Sequence, residues 1–533
     1  MTEKSRRSAK APAARRSTRV PAARRSAKAP EAKRPARVPP SRRSAEVLPH
    51  GAEPAAGASR RYQLDLTFRR MTPAQRAARG RELRTEVSRS SHAEFDPGAG
   101  RADPVGLLER QSAGRLPDLI PIRYGRMLAS PFSYFRGAAL PMAYDLSTTP
   151  VTGLAVQACG DAHLSNFGIF GSAERRLVFD INDFDETVPG PWEWDVKRLA
   201  ASLEIAARDN GFSKRQRNGI VRAAVRQYRT AMRSFAGMSN LGVWYASADV
   251  DQVRKQFENR LTSRQQRSLD KGISKARTKD SMQALDKLTR IVDGRPTIVA
   301  DPPLVIPLSS LVPSDVDRSG LEEQLLHLLD RYKRTLSGDR RYLLDQYEHE
   351  GADIARKVVG VGSVGTRCWI MLMLGRDGSD PLFLQMKEAG QSVLSPYVGP
   401  SRFSNHGQRV VEGQRLMQAT SDIFLGWQRQ LGLDGITRDF YIRQLRDWKF
   451  SLDTETMIPQ GMSDYGEVCG WTLARAHARS GDRIAIASYL GSSNAFDRAI
   501  AEFAVRYADQ NERDYAALDE AAKSGRVLAQ RGV

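Results

Sequence analysis

Two short apolar runs, Gly153 to Ala158 and Arg176 to Ile181, each end in a loop rich in carboxylate and amide side chains, and this pairing constrains the chain more than any bulk property. Apolar runs of that length bounded by turn-forming residues read as buried strands. The first feeds CGDAHLSNFG and the second feeds NDFDE. The turn VPGPW then opens a helix from about Glu193, on which Val196, Leu199, Ala200, Leu203 and Ala207 recur at helical spacing. Asp183, Asp185 and Glu186 therefore crowd one turn at a strand end. Their mutual repulsion is costly unless a cation or basic groups neutralise it, so a metal site is the expected use; an exposed acidic turn is the simpler alternative.

At 533 residues the chain exceeds the size at which one hydrophobic core stops growing, so two lobes with appendages are expected. Its 41% hydrophobic and 27% charged residues are ordinary for a soluble protein. Apolar runs such as Cys368 to Leu374 are too short to span a bilayer. The first fifty residues hold no apolar signal region, which makes the cytoplasm the expected location. Cys159, Cys368 and Cys469 lie far apart and form neither a metal knuckle nor a disulfide framework.

The net charge of +21 is unevenly spread: residues 1–50 hold fifteen Lys/Arg against three Glu, or +12. A nine-residue repeat runs through them, with units reading RRSAKAP and RRSTRVP. Such a repeat cannot build a core, so residues 1–60 are expected to be a disordered basic tail. It suits weak, salt-sensitive contact with nucleic acid or other polyanions, or serves as a solvated arm.

From Tyr62 the pattern is globular. Gln63 to Arg89 reads as helix, Pro131 to Gly137 (PFSYFRG) as an aromatic loop or turn, and residues 212 to 290 as charged helices. The proline-rich stretch 295 to 314 reads as an extended connector, followed by helix over Leu321 to Tyr347. Beyond about 350 come β-type segments, Ala355 to Val361, Thr366 to Leu374 and Leu382 to Lys387, with GRDGSD as the hairpin between the last two.

Gly360, Gly362 and Gly365 form GxGxxG, with Ser363 inside it, between two of these strands. That context matches the glycine-rich loop that kinases fold over ATP phosphates; a Rossmann turn would need a helix after the third glycine. Lys387, near the end of the third strand, stands where a kinase places the lysine that grips those phosphates. On a helix expected over Gln408 to Ile423, Glu412 is the candidate ion-pair partner of Lys387. In the early half, Asp161 and Asn166 stand five apart, the interval of the kinase catalytic loop, where the Asp receives the acceptor proton and the Asn holds magnesium. Asp183 and Asp185 complete the candidate magnesium ligands.

CGDAHLSNFG followed by FDINDFDETVPGPWEWDVKRLA resembles the aminoglycoside and choline phosphotransferase branch of the kinase-like superfamily. The resemblance implies Asp161 as catalytic base, His163 as a loop-stabilising histidine, magnesium on Asn166 and Asp183, and Asp195 buttressing the loop from below. Cys159 stands where that branch often has His, and the interval from Asn166 to Asp183 is long, as a hairpin around Ser172 to Arg175 would explain. LARAHARSGD, at 473 to 482, looks like the helix that precedes the catalytic loop in that branch, yet no Asn follows Asp482 at the needed interval. The halves thus stand in circularly permuted order. The body also resembles the bacterial domain-of-unknown-function family 2252, in GVGSVGTR, LQMKEA and GQRVVEGQRLMQ as well as the strings above.

These readings give an α+β, kinase-like two-lobed fold, circularly permuted. Residues 1–60 are the tail, 61–211 the metal-binding half of the large lobe, 212–350 a helical insert and connector, 351–450 a β-rich nucleotide-binding lobe, and 451–533 closing helices. The expected function is Mg-ATP-dependent phosphoryl transfer to an unknown hydroxyl acceptor. A metal-dependent phosphohydrolase, using Asp161 and His163 as a metal pair, and a non-catalytic nucleotide or polyanion scaffold are the alternatives.

Overall fold

Both apolar runs that end in carboxylate loops form strands in the computed structural model, which describes residues 61–532 apart from 65, 258–262, 279, 312–326, 433 and 446–447. The basic repeat tail lies outside the described residues. All the described residues fall in one compact unit.

Strand β1 (Ala155–Ala158) leads into the first loop. Strands β2 (Phe167–Gly171) and β3 (Leu177–Ile181) form a hairpin in which Phe167 faces Ile181, turning at Ser172 to Arg176, where Arg175 takes a positive φ. This is the hairpin that lengthens the Asn166 to Asp183 interval. Strand β4 (Val188–Pro191) returns antiparallel beside β1, and β5 (Ala248–Asp249) adds a short third strand to the hairpin.

Between β4 and β5 lie two long helices and a short one, Asn240–Tyr245. Trp192–Asp209 is buried from Trp192 to Ala207, including Glu193, Asp195, Lys197 and Arg198. The apolar stripe read from the sequence is buried, but so is the opposite face. Lys214–Ala236 packs against a late helix, Pro459–Ser480, so closely that a Cβ on Gly470 would stand 2.3 Å from the Ala224 carbonyl oxygen. A last helix, Ala495–Lys523, covers Trp192–Asp209. One hydrophobic core unites these elements, from Phe132 to Ala508.

The six-stranded sheet of the later half is antiparallel. After the hairpin β6 (Thr289–Val292) and β7 (Arg295–Ile298) come β8 (Val305–Pro307), β9 (Glu348–Lys357), β10 (Cys368–Leu374), β11 (Pro381–Ala389), β12 (Gly426–Leu431) and β13 (Thr437–Gln444). Spatial order is β12-β13-β11-β10-β9-β8. Leu382, Leu384 and Met371 pack one face against Leu328 and Tyr332, and Phe383 and Ile370 pack the other against Ala284 and Ile298. Alternation along β11 thus buries both faces of this strand.

Several expectations change. PFSYFRG is a helix, Pro131–Gly137, because Ser130 caps it through the Ser133 N–H and Pro131 occupies its first turn. The proline-rich connector contributes β7 and β8, the latter as an edge strand, where proline's missing N–H is harmless. The helix expected over Gln408 to Ile423 is His406–Met417; Asp422 instead accepts from the Phe424 and Gln444 N–H groups. The three cysteines are buried and unpaired. Among the described residues no helix is long and apolar enough to cross a membrane.

Candidate active site

The loop after β1 is held by one carboxylate from beneath. Asp195, 1% exposed, accepts from the Cys159 N–H at 2.6 Å and the Gly160 N–H at 2.9 Å. His477 of helix Pro459–Ser480 lies 3.0 Å from the same carboxylate through Nε2, and its Nδ1 meets the Tyr228 hydroxyl at 2.8 Å. Gly160 is required twice over: its φ is +82°, and a Cβ would stand 2.6 Å from the Glu186 carbonyl oxygen. This close approach joins the two carboxylate loops.

Asp161 is gripped from one side by Arg198, whose Nε and Nη2 lie 2.7 and 2.6 Å from one carboxylate oxygen. Arg198 is fully buried, donates to the Phe135 carbonyl at 2.9 Å, and lies 4.1 Å from the Phe135 ring centroid. Burial pushes the Asp161 carboxyl up to about 6, against the pull of Arg198. His163 Nε2 is 3.7 Å from Asp161, and burial together with Arg198 and Arg136 keeps the imidazole neutral. Asn166 donates its amide N–H to the Asp161 carbonyl at 2.7 Å, so its amide oxygen is the group left to act as a ligand.

Asp183 follows β3, and one of its oxygens accepts from the Asp185 N–H at 3.2 Å. Asp185 is committed elsewhere. It takes the Tyr441 hydroxyl at 2.8 Å, the Ser363 hydroxyl at 3.4 Å and the ammonium of Lys387, which also lies 3.9 Å from Asp183. Burial lowers the Lys387 pKa, but Asp183 and Asp185 outweigh it and hold the ammonium well above its usual range; the same contact draws Asp185 down against its own burial. The structure therefore gives Asp185 to Lys387 rather than leaving both its oxygens for a metal. Glu186 accepts from the Val393 N–H at 2.7 Å, and burial lifts its carboxyl to about 7.

Glu412 is not placed against Lys387. Its carboxylate lies 3.4 Å from Arg415 one turn away. The side chain that ties helix His406–Met417 to the carboxylate turn is Arg409, 2% exposed, which donates to the carbonyls of Thr187 and Asp185, each at 2.7 Å. The helix presents Arg409 to the turn, and Glu412, three residues on, meets Arg415.

The glycine loop turns between β9 and β10, with a short 3-10 turn at Val361–Ser363. Gly365 needs its glycine, at φ +90°. Arg115 donates to the Val364 and Gly362 carbonyls, Arg126 to Val359, and the Leu116 N–H to Gly365. A Cβ on Gly360 would meet nothing within 4 Å, so that glycine borders open space. Behind the carboxylates a cavity of about 60 Å³ is lined by Asn182, Gln414, Arg443 and Lys449, among others. Arg443 donates to the Gln385 side chain and the Asn182 carbonyl, and burial beside Arg443 brings Lys449 down to about 7. Arg198, His477, Tyr441, Arg409, Arg115 and Lys449 were not among the residues singled out from the sequence.

The residues present offer two oxygen ligands for magnesium, Asn166 and Asp183. Among the described residues no group of three or more His, Cys, Asp or Glu side chains is arranged to hold a metal ion. Magnesium is satisfied by one or two protein oxygens when phosphates and water supply the rest, so this donor set fits a phosphate-bridged ion better than an all-protein cage.

What the fold and site define is a mixed α+β protein whose charged cleft is assembled from segments about two hundred residues apart. The chain belongs to the bacterial family described as "Uncharacterized protein conserved in bacteria (DUF2252)", whose family model matches residues 115–521. No curated protein and no solved structure matches it.

Proposed function

We propose that this cleft is an ATP-dependent phosphotransferase site of kinase-like, two-lobed form in circularly permuted order, acting on a hydroxyl acceptor. The observation that carries the reading is the meeting of Lys387 and Ser363, from the late half, with the Asp183–Asp185 turn of the early half. A lysine on a central strand, a glycine loop and a carboxylate turn that meet one another supply the positive and negative groups that holding a triphosphate and its metal requires. Magnesium, held by Asn166 and Asp183, would neutralise charge on the phosphates. Lys387 binds the phosphates, Ser363 and the neighbouring loop N–H groups close over them, and Asp161 orients the acceptor hydroxyl and takes its proton. Arg198 fixes the rotamer of Asp161, and Asp195 fixes its backbone.

Full-length protein is expected to bind ATP only with Mg²⁺ in isothermal titration, and Asp183→Ala and Lys387→Ala are each expected to weaken binding at least tenfold. Absence of nucleotide binding under any of these conditions would overturn the reading.

A pH dependence follows from Asp161. Only the ionised carboxylate can take a proton, and its pKa is about 6. Turnover, read as slow ATP hydrolysis with water standing in for the acceptor, is expected to rise tenfold per pH unit below 6 and level off above it. Asp161→Asn is expected to lower turnover by about 10²–10⁴ and to abolish this inflection while leaving ATP affinity in place. An unchanged pH profile in that variant would remove Asp161 from the base role.

A further inference from the structure

The helix Pro131–Gly137 brings two arginine contacts to the cleft, and only one has a role so far. Its position is fixed at both ends of its first turn: Ser130 caps Ser133 at 3.1 Å, and Asp209 accepts from the Phe132 N–H at 3.0 Å. Phe135 holds Arg198 through its carbonyl and ring. The next residue, Arg136, touches the glycine loop, since a Cβ on Gly362 would stand 3.4 Å from the Arg136 carbonyl oxygen. This short helix therefore reaches both Asp161's arginine and the loop.

The Arg136 guanidinium has no match. Its Nε is buried without a hydrogen-bond partner, and no hydrogen bond or ion pair to the group occurs among the described residues. The side chain as a whole is half-buried, and an arginine cannot shed its charge, so this guanidinium, with no protein anion on it and a path to solvent, is ready to take an anion. The charges it feels are Asp161 and Glu455, whereas Lys387 feels Asp183 and Asp185. His163, beside Asp161, feels Arg136 as well, and its Nδ1 is likewise buried and unpartnered. Glu455 is exposed, so this end opens to solvent. An anion seated here lies beside the helix that Phe135 and Arg198 join to Asp161, the base that the acceptor hydroxyl must reach.

We propose that Arg136 binds an anionic group, phosphate or carboxylate, carried by the acceptor whose hydroxyl meets Asp161; this rests on the phosphotransferase reading of the same cleft. Guanidinium pairs with either anion through two parallel hydrogen bonds, which would also orient the hydroxyl. The site thereby selects acidic acceptors over neutral or cationic ones.

The test titrates full-length protein with inorganic phosphate and, separately, with malonate, in the presence and absence of Mg²⁺ and a non-hydrolysable ATP analogue. At least one anion is expected to bind tenfold or more tightly to the wild type than to Arg136→Met, with Arg136→Lys between them and analogue affinity within twofold throughout. Which anion binds decides between phosphate and carboxylate. Asp161→Asn, which removes the adjacent negative charge, is expected to tighten anion binding severalfold, a readout that does not depend on how the Arg136 variants fold. Equal anion affinity in wild type and Arg136→Met, unchanged affinity in Asp161→Asn, or loss of analogue binding in Arg136→Met would each overturn the proposal. A chain that takes the anion through Arg136 but no nucleotide keeps the anion site and loses the phosphotransferase reading; the reverse keeps the reading and loses the proposal.

Discussion

Asp195→Ala is expected to destabilise the protein by about 3–5 kcal/mol, read as the shift in its chemical unfolding midpoint. The carboxylate satisfies the N–H groups of Cys159 and Gly160 and the Nε2 of His477, all in an interior where water cannot replace it. A buried donor left unpaired costs about 1–3 kcal/mol, and charged acceptors make the stronger bonds. Two backbone donors and a buried imidazole are orphaned together. The damage should extend beyond the loop, because the Trp192 ring stacks on Tyr228 at 5.8 Å and Tyr228 meets His477. Asp195→Asn keeps the shape and one acceptor oxygen but turns an amide NH₂ toward a second donor, so most of the loss should remain. Amide hydrogen exchange at Cys159 and Gly160 should accelerate in both variants. A cost under 1 kcal/mol would mean that other contacts hold the loop.

Much of the scaffold was legible because its signals are local. The two strand-and-carboxylate segments, the glycine loop between strands and the late placement of Lys387 all declare themselves within about ten residues. The meeting of the early and late segments could be inferred only because each carried a motif of its own. What escaped were side chains whose partners are backbone carbonyls or distant in sequence. Arg409 reaches the Thr187 and Asp185 carbonyls, and every residue has a carbonyl, so nothing in the sequence marks the acceptor. His477 stands 282 residues from Asp195. Glu412 was favoured because kinase logic calls for a glutamate on that helix, but helical spacing fixes which residues share a face and not which face turns inward. One signal was available and unused: Ser130 followed by Pro131 is a helix start, which would have made PFSYFRG a helix.

The ion pair of Lys387 with Asp185 separates structural from functional roles. Lys387→Met leaves two carboxylates facing one another across the turn, and Asp185→Leu leaves an ammonium 5% exposed without its main partner. Breaking a buried pair from one side costs about 3–5 kcal/mol; Asp185 retains 26% exposure, which places both variants near the lower figure. The double variant Lys387→Met/Asp185→Leu replaces the pair by apolar groups that pack without desolvation cost. It is expected to recover most of the stability, less about 1 kcal/mol because the Tyr441 hydroxyl loses its acceptor. Nucleotide binding should not recover with it if, as proposed, Lys387 is the cation that meets the phosphates. Calorimetric titration beside denaturant unfolding on the four proteins of this cycle reads both quantities at once. Were nucleotide affinity restored along with stability, Lys387 would be a structural lysine, and the phosphates would have to be held by Arg443 and Lys449 across the cavity behind the carboxylates.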